Sequence, residues 1–129
     1  MANRPADARY TKTHEWVRLQ GDVATVGITD FAVEHLGELV FVQLPDANKA
    51  LKHGDVAAEV ESVKAVGEVY APIPGTVVEV NAGLADDQSP LAKDPFGKGW
   101  LFKLKVKPGA AAGLMDLKAY EAQLASEAK

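Results

Sequence analysis

The chain contains no cysteine. Disulfide scaffolds, thiol nucleophiles and cysteine-ligated metal sites are therefore excluded, and any thiol chemistry has to come from a bound or attached group. No stretch approaches the roughly 18 consecutive apolar residues of a membrane-spanning helix. The polar start, MANRPADARY, lacks the apolar run of a secretory signal. These absences predict a cytoplasmic protein without a membrane partner.

An excess of positive charge is also missing. The chain has 14 lysines and arginines against 18 acidic residues, a formal net charge of −4. This balance argues against nucleic acid as a partner. The 129 residues suit one domain, 1–129, that is long enough to bury a core without disulfides or metal. Residues 1–10 are predicted to be a loose N-terminus.

Short strand-like segments dominate the chain. They are rich in valine, partly alternating, and separated by turn signals such as Pro45-Asp46 and Pro74-Gly75. Several strands at this spacing predict a mainly β fold, a small sandwich or barrel. The predicted strands are His14–Leu19, Val23–Gly27, Leu39–Leu44, Val56–Val63, Val66–Tyr70, Thr76–Val80 and Trp100–Lys105.

A short internal helix is predicted over Thr29–Leu36. Thr29 or Asp30 is suited to cap its N-terminus, and Gly37 is suited to end it.

A second helix is predicted over 116–126, at the C-terminal end of the domain. Asp116 is a suitable N-cap. Leu117, Tyr120 and Leu124 fall on one face of the helix. This helix is too short to be a domain, so we expect it to lie on the sheet.

Lys64 stands between two predicted strands, in the stretch VESVKAVGEV (60–69). A tight hairpin favours Asn-Gly or Asp-Gly at its tip, so turn chemistry does not require a lysine here. One interpretation is a solubilising lysine on an exposed turn. The other is a covalent attachment point, since group-carrier cofactors such as lipoamide and biotin need an amine on an accessible tip. The local pattern leaves both interpretations open.

Five segments, in this order, resemble the H-protein family of the glycine cleavage system, whose members are lipoyl carriers. Biotinyl carriers differ in having methionines beside the lysine. Lipoyl domains of 2-oxo acid dehydrogenases usually have an acidic residue directly before it, where this chain has Val63. With the C-terminal helix, the resemblance covers nearly the whole chain. The segments are YTKTHEW (10–16), DVATVGIT (22–29), HLGELVFVQLP (35–45), ESVKAVGEVYAPIPGTVVEVN (61–81) and DPFGKGW (94–100).

The resemblance implies a flattened barrel or sandwich of antiparallel sheets, a lipoyl/biotinyl-like hybrid with a short internal helix and a C-terminal helix. It also implies that lipoate is joined to Lys64 through an amide, put there by a lipoyl-attaching enzyme. Three further partners follow. Glycine decarboxylase loads an aminomethyl group, aminomethyltransferase removes its carbon, and dihydrolipoamide dehydrogenase re-oxidises the dithiol. The chain itself catalyses none of these steps.

Two positions match family residues linked to recognition by the lipoyl-attaching enzyme. They are Glu61, three residues before Lys64, and Gly75, eleven residues after it. Gly75 follows Pro74 in a predicted turn, where we expect a positive φ. Without the resemblance, Glu61 would be interpreted as a solvated strand charge and Gly75 as a plain turn glycine.

Four more positions match the cleft that receives the loaded arm in the family: Thr13, Glu15, His35 and Glu68. The family often has serine at the first of these positions and aspartate at the last. Threonine and glutamate keep the functional groups but alter the hydrogen-bond geometry. Nothing in the sequence pairs the three histidines as metal ligands, and we expect no metal site.

Two other functions remain open at this stage. One is a lipoyl relay protein that donates lipoate to other carriers. The other is an unmodified β scaffold used only for protein interaction. An enzyme is disfavoured because the sequence shows no nucleophile with a base, no phosphate-binding glycine loop and no metal cluster.

Overall fold

The computed structural model of the protein describes residues 4–107 and 109–127. It is mainly β. The strands are β1 (Arg9–Tyr10), β2 (Glu15–Gln20), β3 (Val23–Ile28), β4 (Leu39–Gln43), β5 (Ala50–Leu51), β6 (Val56–Ser62), β7 (Val66–Tyr70), β8 (Gly75–Val80) and β9 (Phe102–Lys105). The helices are α1 (Asp30–Leu36), α2 (Ser89–Lys93) and α3 (Leu117–Glu127), with a short 3-10 helix at Ala82–Ala85.

The strands form two antiparallel sheets. One has six strands in the order β1-β2-β3-β9-β8-β5, and the other has three in the order β4-β6-β7. The predicted pair of antiparallel sheets is therefore confirmed, but the sheets stay separate rather than closing into one barrel. Strand β9, near the end of the chain, pairs with both β3 and β8 and so closes the middle of the larger sheet.

The main core buries one face of the strands other than β1, whose Tyr10 belongs to a second cluster. In β6, Ala58, Val60 and Ser62 are buried and alternate with the half-buried Glu59 and Glu61, as expected for a strand with one covered face. The same cluster includes fully buried side chains of the larger sheet, such as Val26, Val77, Phe102 and Leu104.

A second apolar cluster attaches α3 to the edge of the larger sheet. The rings of Tyr10 and Tyr120 are stacked with centroids 4.7 Å apart, and both are fully buried. Trp16 joins the same cluster and donates from Nε1 to the carbonyl of Pro95 at 3.0 Å. Asp116 caps the helix, since its Oδ1 accepts from the amide of Ala119. The predicted helix and its cap are thus confirmed.

The helix α1 also agrees with the prediction. The Thr29 side chain accepts from the amide of Ala32, and Gly37 ends the helix with φ 80°. Within the described part of the predicted loose N-terminus, Tyr10 is fully buried and Arg4 pairs with Asp30 at 2.8 Å. No helix in the described ranges is long and apolar enough to cross a membrane.

Candidate functional site

Lys64 stands at the tip of the hairpin formed by β6 and β7. The last paired residues are Glu61 and Val66. Beyond them, the amide of Ser62 donates to the carbonyl of Ala65 at 2.8 Å, and the amide of Ala65 donates to Oγ of Ser62 at 3.0 Å. The serine hydroxyl therefore helps to close a tip of two residues, Val63 and Lys64. The predicted exposure of the lysine at a hairpin tip is confirmed.

This tip is held from outside the hairpin. The amide of Val63 donates to the carbonyl of Glu38 at 3.0 Å, which ties the tip to the loop after α1. The Lys64 stem lies close to Gly37, where an added Cβ would be 3.7 Å from Cε of the lysine. The amine is thus presented from a fixed base beside the C-terminal end of α1.

A cavity of about 330 Å³ opens between α1, β7, the segment before β2 and the end of α3. Its apolar side chains include Ile28, Phe31, Leu36, Val60 and Val69. Three of the four predicted cleft residues line it, together with a histidine and a glutamate that the sequence did not single out: Thr13, His35, Glu68, His14 and Glu127.

The fourth predicted residue, Glu15, lies behind the residues that line this cavity. Its side chain is only 1% exposed. Oε1 accepts from the hydroxyls of Thr11 at 2.6 Å and Thr13 at 2.5 Å, while Oε2 accepts from the amide of Tyr70 at 3.3 Å. Glu15 borders a neighbouring cavity of about 520 Å³ that also contains Thr13. It therefore reaches the smaller cavity through the hydroxyl of Thr13.

Glu68 has a different environment. It is exposed on β7, an edge strand of the smaller sheet, and its Oε1 accepts from the hydroxyl of Tyr70 at 3.0 Å. This hydrogen bond and the negative charge of Glu68 raise the pKa of Tyr70. At the mouth of the cavity, Glu68 thus supplies a carboxylate in contact with solvent.

His14 is one of the two charged or polar cavity residues that sequence reasoning missed, the other being Glu127. His14 adopts φ 73°, a left-handed conformation that non-glycine residues rarely take. Its Nδ1 lies 2.8 Å from the hydroxyl of Tyr120, and its Nε2 lies 3.2 Å from Oε1 of Glu127. The ring also packs 4.7 Å from Phe31. Its partners come from distant parts of the chain, so no local spacing could have identified it.

Tyr120, on the buried face of α3, contacts the cavity residue His14. Its hydroxyl also lies 2.6 Å from Oγ1 of Thr29, the cap of α1. Burial raises the pKa of Tyr120 to about 12, although the hydrogen bond with Thr29 opposes the shift. A neutral tyrosine therefore joins α1, α3 and the segment before β2.

Glu61 and Gly75, the predicted recognition residues, lie in different sheets. Glu61 is on β6, cross-strand from Phe41 and Val66. Gly75 begins β8 in the larger sheet. The expected positive φ at Gly75 is wrong. The glycine is needed instead for close packing, because an added Cβ would lie 2.7 Å from the carbonyl oxygen of Lys105.

In the ranges that the structure describes, no group of three or more histidines and carboxylates is placed to hold a metal ion. The lining of the cavity supplies two carboxylates, one hydroxyl and two imidazoles beside an apolar wall.

Comparisons with known proteins agree on one family. Residues 8–127 match the model of the family described as glycine cleavage H-protein. A glycine cleavage system H protein from Laribacter hongkongensis is 51% identical over 126 residues, which is 96% of this chain and 99% of that protein. One from Alteromonas mediterranea is 50% identical, over 98% of this chain and 100% of that protein.

A solved structure agrees as well. The crystal structure of a glycine cleavage system H protein from Mycobacterium marinum superposes with a TM-score of 0.86 at 41% identity. The match covers 95% of this chain and 99% of that one. Sequence and fold thus lead to the same family over nearly the full length.

Proposed function

We propose that Lys64 carries the lipoyl group in this chain, which belongs to the glycine cleavage H-protein family. As a member of that family, the chain is a lipoyl carrier of the glycine cleavage system and not an enzyme. One observation above all supports this assignment: Lys64 is exposed at a two-residue tip that hydrogen bonds fix on both sides. An attaching enzyme needs such an amine, and acylation removes a charge that no ion pair in the described ranges uses.

The residues around the tip fit a lipoyl group. The cavity beside α1 has an apolar wall suited to an aliphatic chain and a five-membered ring, and its polar groups lie at the edges. When bound, lipoate supplies a disulfide that can accept the aminomethyl group and two electrons. Every other group at the cavity belongs to a side chain of this protein.

We assign Thr13, Glu68 and His35 to the wall that holds the arm when it carries its amine. The hydroxyl of Thr13 donates its proton to Glu15, so its lone pairs remain free to accept from an ammonium. Glu68 supplies the opposite charge, since a cation removed from water is costly unless it is paired. Glu15 acts through Thr13 and is a positioning residue.

The carrier interacts with other components of the glycine cleavage system. We propose that these are glycine decarboxylase, aminomethyltransferase and dihydrolipoamide dehydrogenase, with a lipoyl-attaching enzyme acting earlier. Glu61 and Gly75 belong to the recognition of that attaching enzyme. A cytoplasmic location is part of the proposal, because a reduced dithiol persists where cellular thiols are kept reduced.

The test is reconstitution of glycine decarboxylation with the purified partner enzymes. Lipoylated wild-type protein is expected to support release of carbon dioxide from glycine. Lys64→Arg keeps the charge but offers no amine for the amide, so activity should fall to background while the circular dichroism spectrum stays unchanged. Wild-type protein that is lipoylated but inactive would favour the lipoyl relay function instead.

A further inference from the structure

Two residues that line the cavity beside α1, His14 and Glu127, are not among the positions that the family resemblance assigns to the cleft. They come from the segment before β2 and from the end of α3. Nε2 of His14 lies 3.2 Å from Oε1 of Glu127, and the two side chains are 17% and 39% exposed. The cavity is thus lined by two carboxylates from separate elements, Glu68 on β7 and Glu127 on α3.

The position of Glu127 does not favour helix stability. It is the last residue of α3, and the last turn of this helix, as described, contains no basic residue. The C-terminal end of a helix carries a partial negative charge, which favours a lysine or arginine there and disfavours a carboxylate. The ion pairs in the described ranges join Glu127 to His14 but to no lysine or arginine. Helix stability therefore does not account for its charge.

Both carboxylate oxygens of Glu127 are nevertheless held in place. Oε2 accepts from Nε2 of Gln123 at 2.6 Å, and the same amide donates to the carbonyl of Lys12 at 3.0 Å. Oε1 faces Nε2 of His14. Each oxygen has two lone pairs and uses one of them here, so the carboxylate can still accept from a further donor in the cavity.

A chain of hydrogen bonds orients the His14 ring toward Glu127. A carboxylate only accepts, so Nε2 of a neutral His14 donates to Glu127 and its Nδ1 accepts. The hydroxyl of Tyr120, 2.8 Å from Nδ1, is then the donor, and the hydroxyl of Thr29, 2.6 Å from that of Tyr120, donates to it in turn. One direction of donation, from the N-cap of α1 to the cavity, therefore satisfies every member of the chain.

Building on the proposed docking of the loaded arm, we infer that Glu127 is a second carboxylate that binds the ammonium of the aminomethyl group, and that His14 positions it. A cation withdrawn from water is costly unless it is paired, and Glu68 and Glu127 offer it partners on two separate elements. The oxidised arm and the reduced arm carry no such charge. The last turn of α3 therefore distinguishes the loaded arm from the empty arm.

Glu127→Gln tests the inference, because it keeps the size of the side chain and removes its charge. The matched control is Glu121→Gln on the same helix, where the carboxylate is 52% exposed and does not line the cavity. The measurement is the half-life of the aminomethyl-loaded carrier without the transferase, followed by release of formaldehyde. Reduction of the oxidised arm by dihydrolipoamide dehydrogenase and the free energy of unfolding are measured on the same proteins.

Glu127→Gln should shorten the half-life of the loaded carrier about two- to fivefold, as expected for a partly exposed ion pair. Raised ionic strength should reduce the difference from wild type, and Glu121→Gln should match wild type. Reduction of the oxidised arm should be unchanged, since that arm carries no ammonium. The free energy of unfolding should not fall, because the charge that is lost opposes the helix dipole.

His14→Asn tests the positioning role. Asparagine tolerates the positive φ of 73° at this position, but its side chain is too short to reach Glu127 as the imidazole does. The change should shorten the half-life of the loaded carrier in the wild-type background and add nothing in the Glu127→Gln background, where no charge is left to position. An equal effect in both backgrounds would show that His14 acts only through the fold.

Two results overturn the assignment of Glu127. A half-life for Glu127→Gln equal to that of Glu121→Gln, beside a shortened half-life for Glu68→Gln, shows that Glu127 does not bind the amine. A shortened half-life that comes with slower or faster reduction of the oxidised arm, or with lower stability, shows a structural effect. Wild-type protein that takes up no lipoate on Lys64 contradicts the proposed function itself, which separates the two failures.

Discussion

Glu15 and Glu68, the two carboxylates predicted for the cleft, have different surroundings and therefore different roles. Glu68 is exposed and accepts one hydrogen bond, from Tyr70. Glu15 is buried and accepts three, from Thr11, Thr13 and the amide of Tyr70. Of these two, Glu68 has the carboxylate that lines the cavity and meets solvent, whereas Glu15 fixes the direction of the Thr13 hydroxyl.

Glu68→Gln should shorten the half-life of the aminomethyl-loaded carrier in the absence of the transferase. The change keeps the size of the side chain and removes its charge, so it removes the charge-assisted contact with the ammonium. Such contacts contribute about 1.5–3 kcal/mol, which corresponds to roughly ten- to a hundredfold faster hydrolysis. Release of formaldehyde is the measurement.

Glu34→Gln is the matched control for Glu68→Gln, since Glu34 is exposed on α1 and does not line the cavity. Loaded Glu68→Gln protein that lasts as long as wild type would show that the charge of Glu68 does not hold the cargo.

Glu15→Gln should also shorten the half-life of the loaded carrier. In addition it should lower the free energy of unfolding by about 1–3 kcal/mol, because an amide oxygen cannot replace both acceptors of a buried carboxylate.

Glu61 and Gly75 call for separate experiments, because the structure gives them different physical roles. Glu61→Gln removes a half-buried charge three residues before Lys64, so it should slow lipoylation at low salt and reduce the salt dependence of the rate. Its thermal unfolding should match wild type. If lipoylation of Glu61→Gln shows the wild-type rate at every ionic strength, Glu61 has no role in recognition.

Gly75→Ala should act through stability. The new methyl group would meet the carbonyl of Lys105 at 2.7 Å and Cγ1 of Val106 at 2.9 Å. We expect a loss of about 1–3 kcal/mol in the free energy of unfolding, measured by chemical denaturation. Slow lipoylation of this variant without any loss of stability would instead indicate direct recognition of Gly75.

At the scale of elements, α3 forms part of the cavity rather than an appendage of the sheet. Tyr120 joins α3 to the N-cap of α1 through Thr29 and to the lining of the cavity through His14. Tyr120→Phe should lower the free energy of unfolding at neutral pH by about 1–3 kcal/mol, since it leaves the buried hydroxyl of Thr29 without this partner. Denaturant titration measures the difference.

The same residue predicts a dependence on alkaline pH. The folded protein holds the pKa of Tyr120 at about 12, above the ordinary value of 10.0, and burial also raises the pKa of Tyr10. A raised pKa means that the neutral form is favoured in the fold, so this stabilisation is complete below pH 10 and is lost as the pH rises toward 12. Tyr120→Phe should show a smaller loss over that range. An equal loss in wild type and variant would remove Tyr120 as the cause.

Most elements could be predicted from the sequence because each has a local signal. The hairpin around Lys64, the cap and stop of α1, and the apolar face of α3 all appear in the structure. Strands β1 and β5 have only two residues each, too few for a periodic pattern. The strand predicted from Trp100 begins at Phe102 instead.

The site was predictable only in part, and the reason is physical. Thr13, His35 and Glu68 were predicted for the cleft because they match motifs, but the cavity itself is assembled from segments more than a hundred residues apart in sequence. His14 and Glu127 meet only after α3 has packed on the sheet. The role of Gly75 depends on the distance between two strands, which composition and spacing do not contain.

For the molecule as a whole, the structure separates two duties. The larger sheet, with α3, buries most of the aromatic side chains. The smaller sheet carries Lys64 at its hairpin tip and a rim of three glutamates, Glu59, Glu61 and Glu68, on the strands behind that tip. A net charge of −4 adds to this rim, so association with basic partner surfaces should be faster at low ionic strength.

The central claim is that this chain carries lipoate on Lys64, and mass spectrometry of protein purified from its own host tests it most directly. The account predicts one lipoyl-sized increment in the intact mass, located by peptide mapping on Lys64 and absent from Lys64→Arg. A biotin-sized increment, a lipoyl group on any other lysine, or no increment in protein incubated with an active lipoate-protein ligase would contradict it.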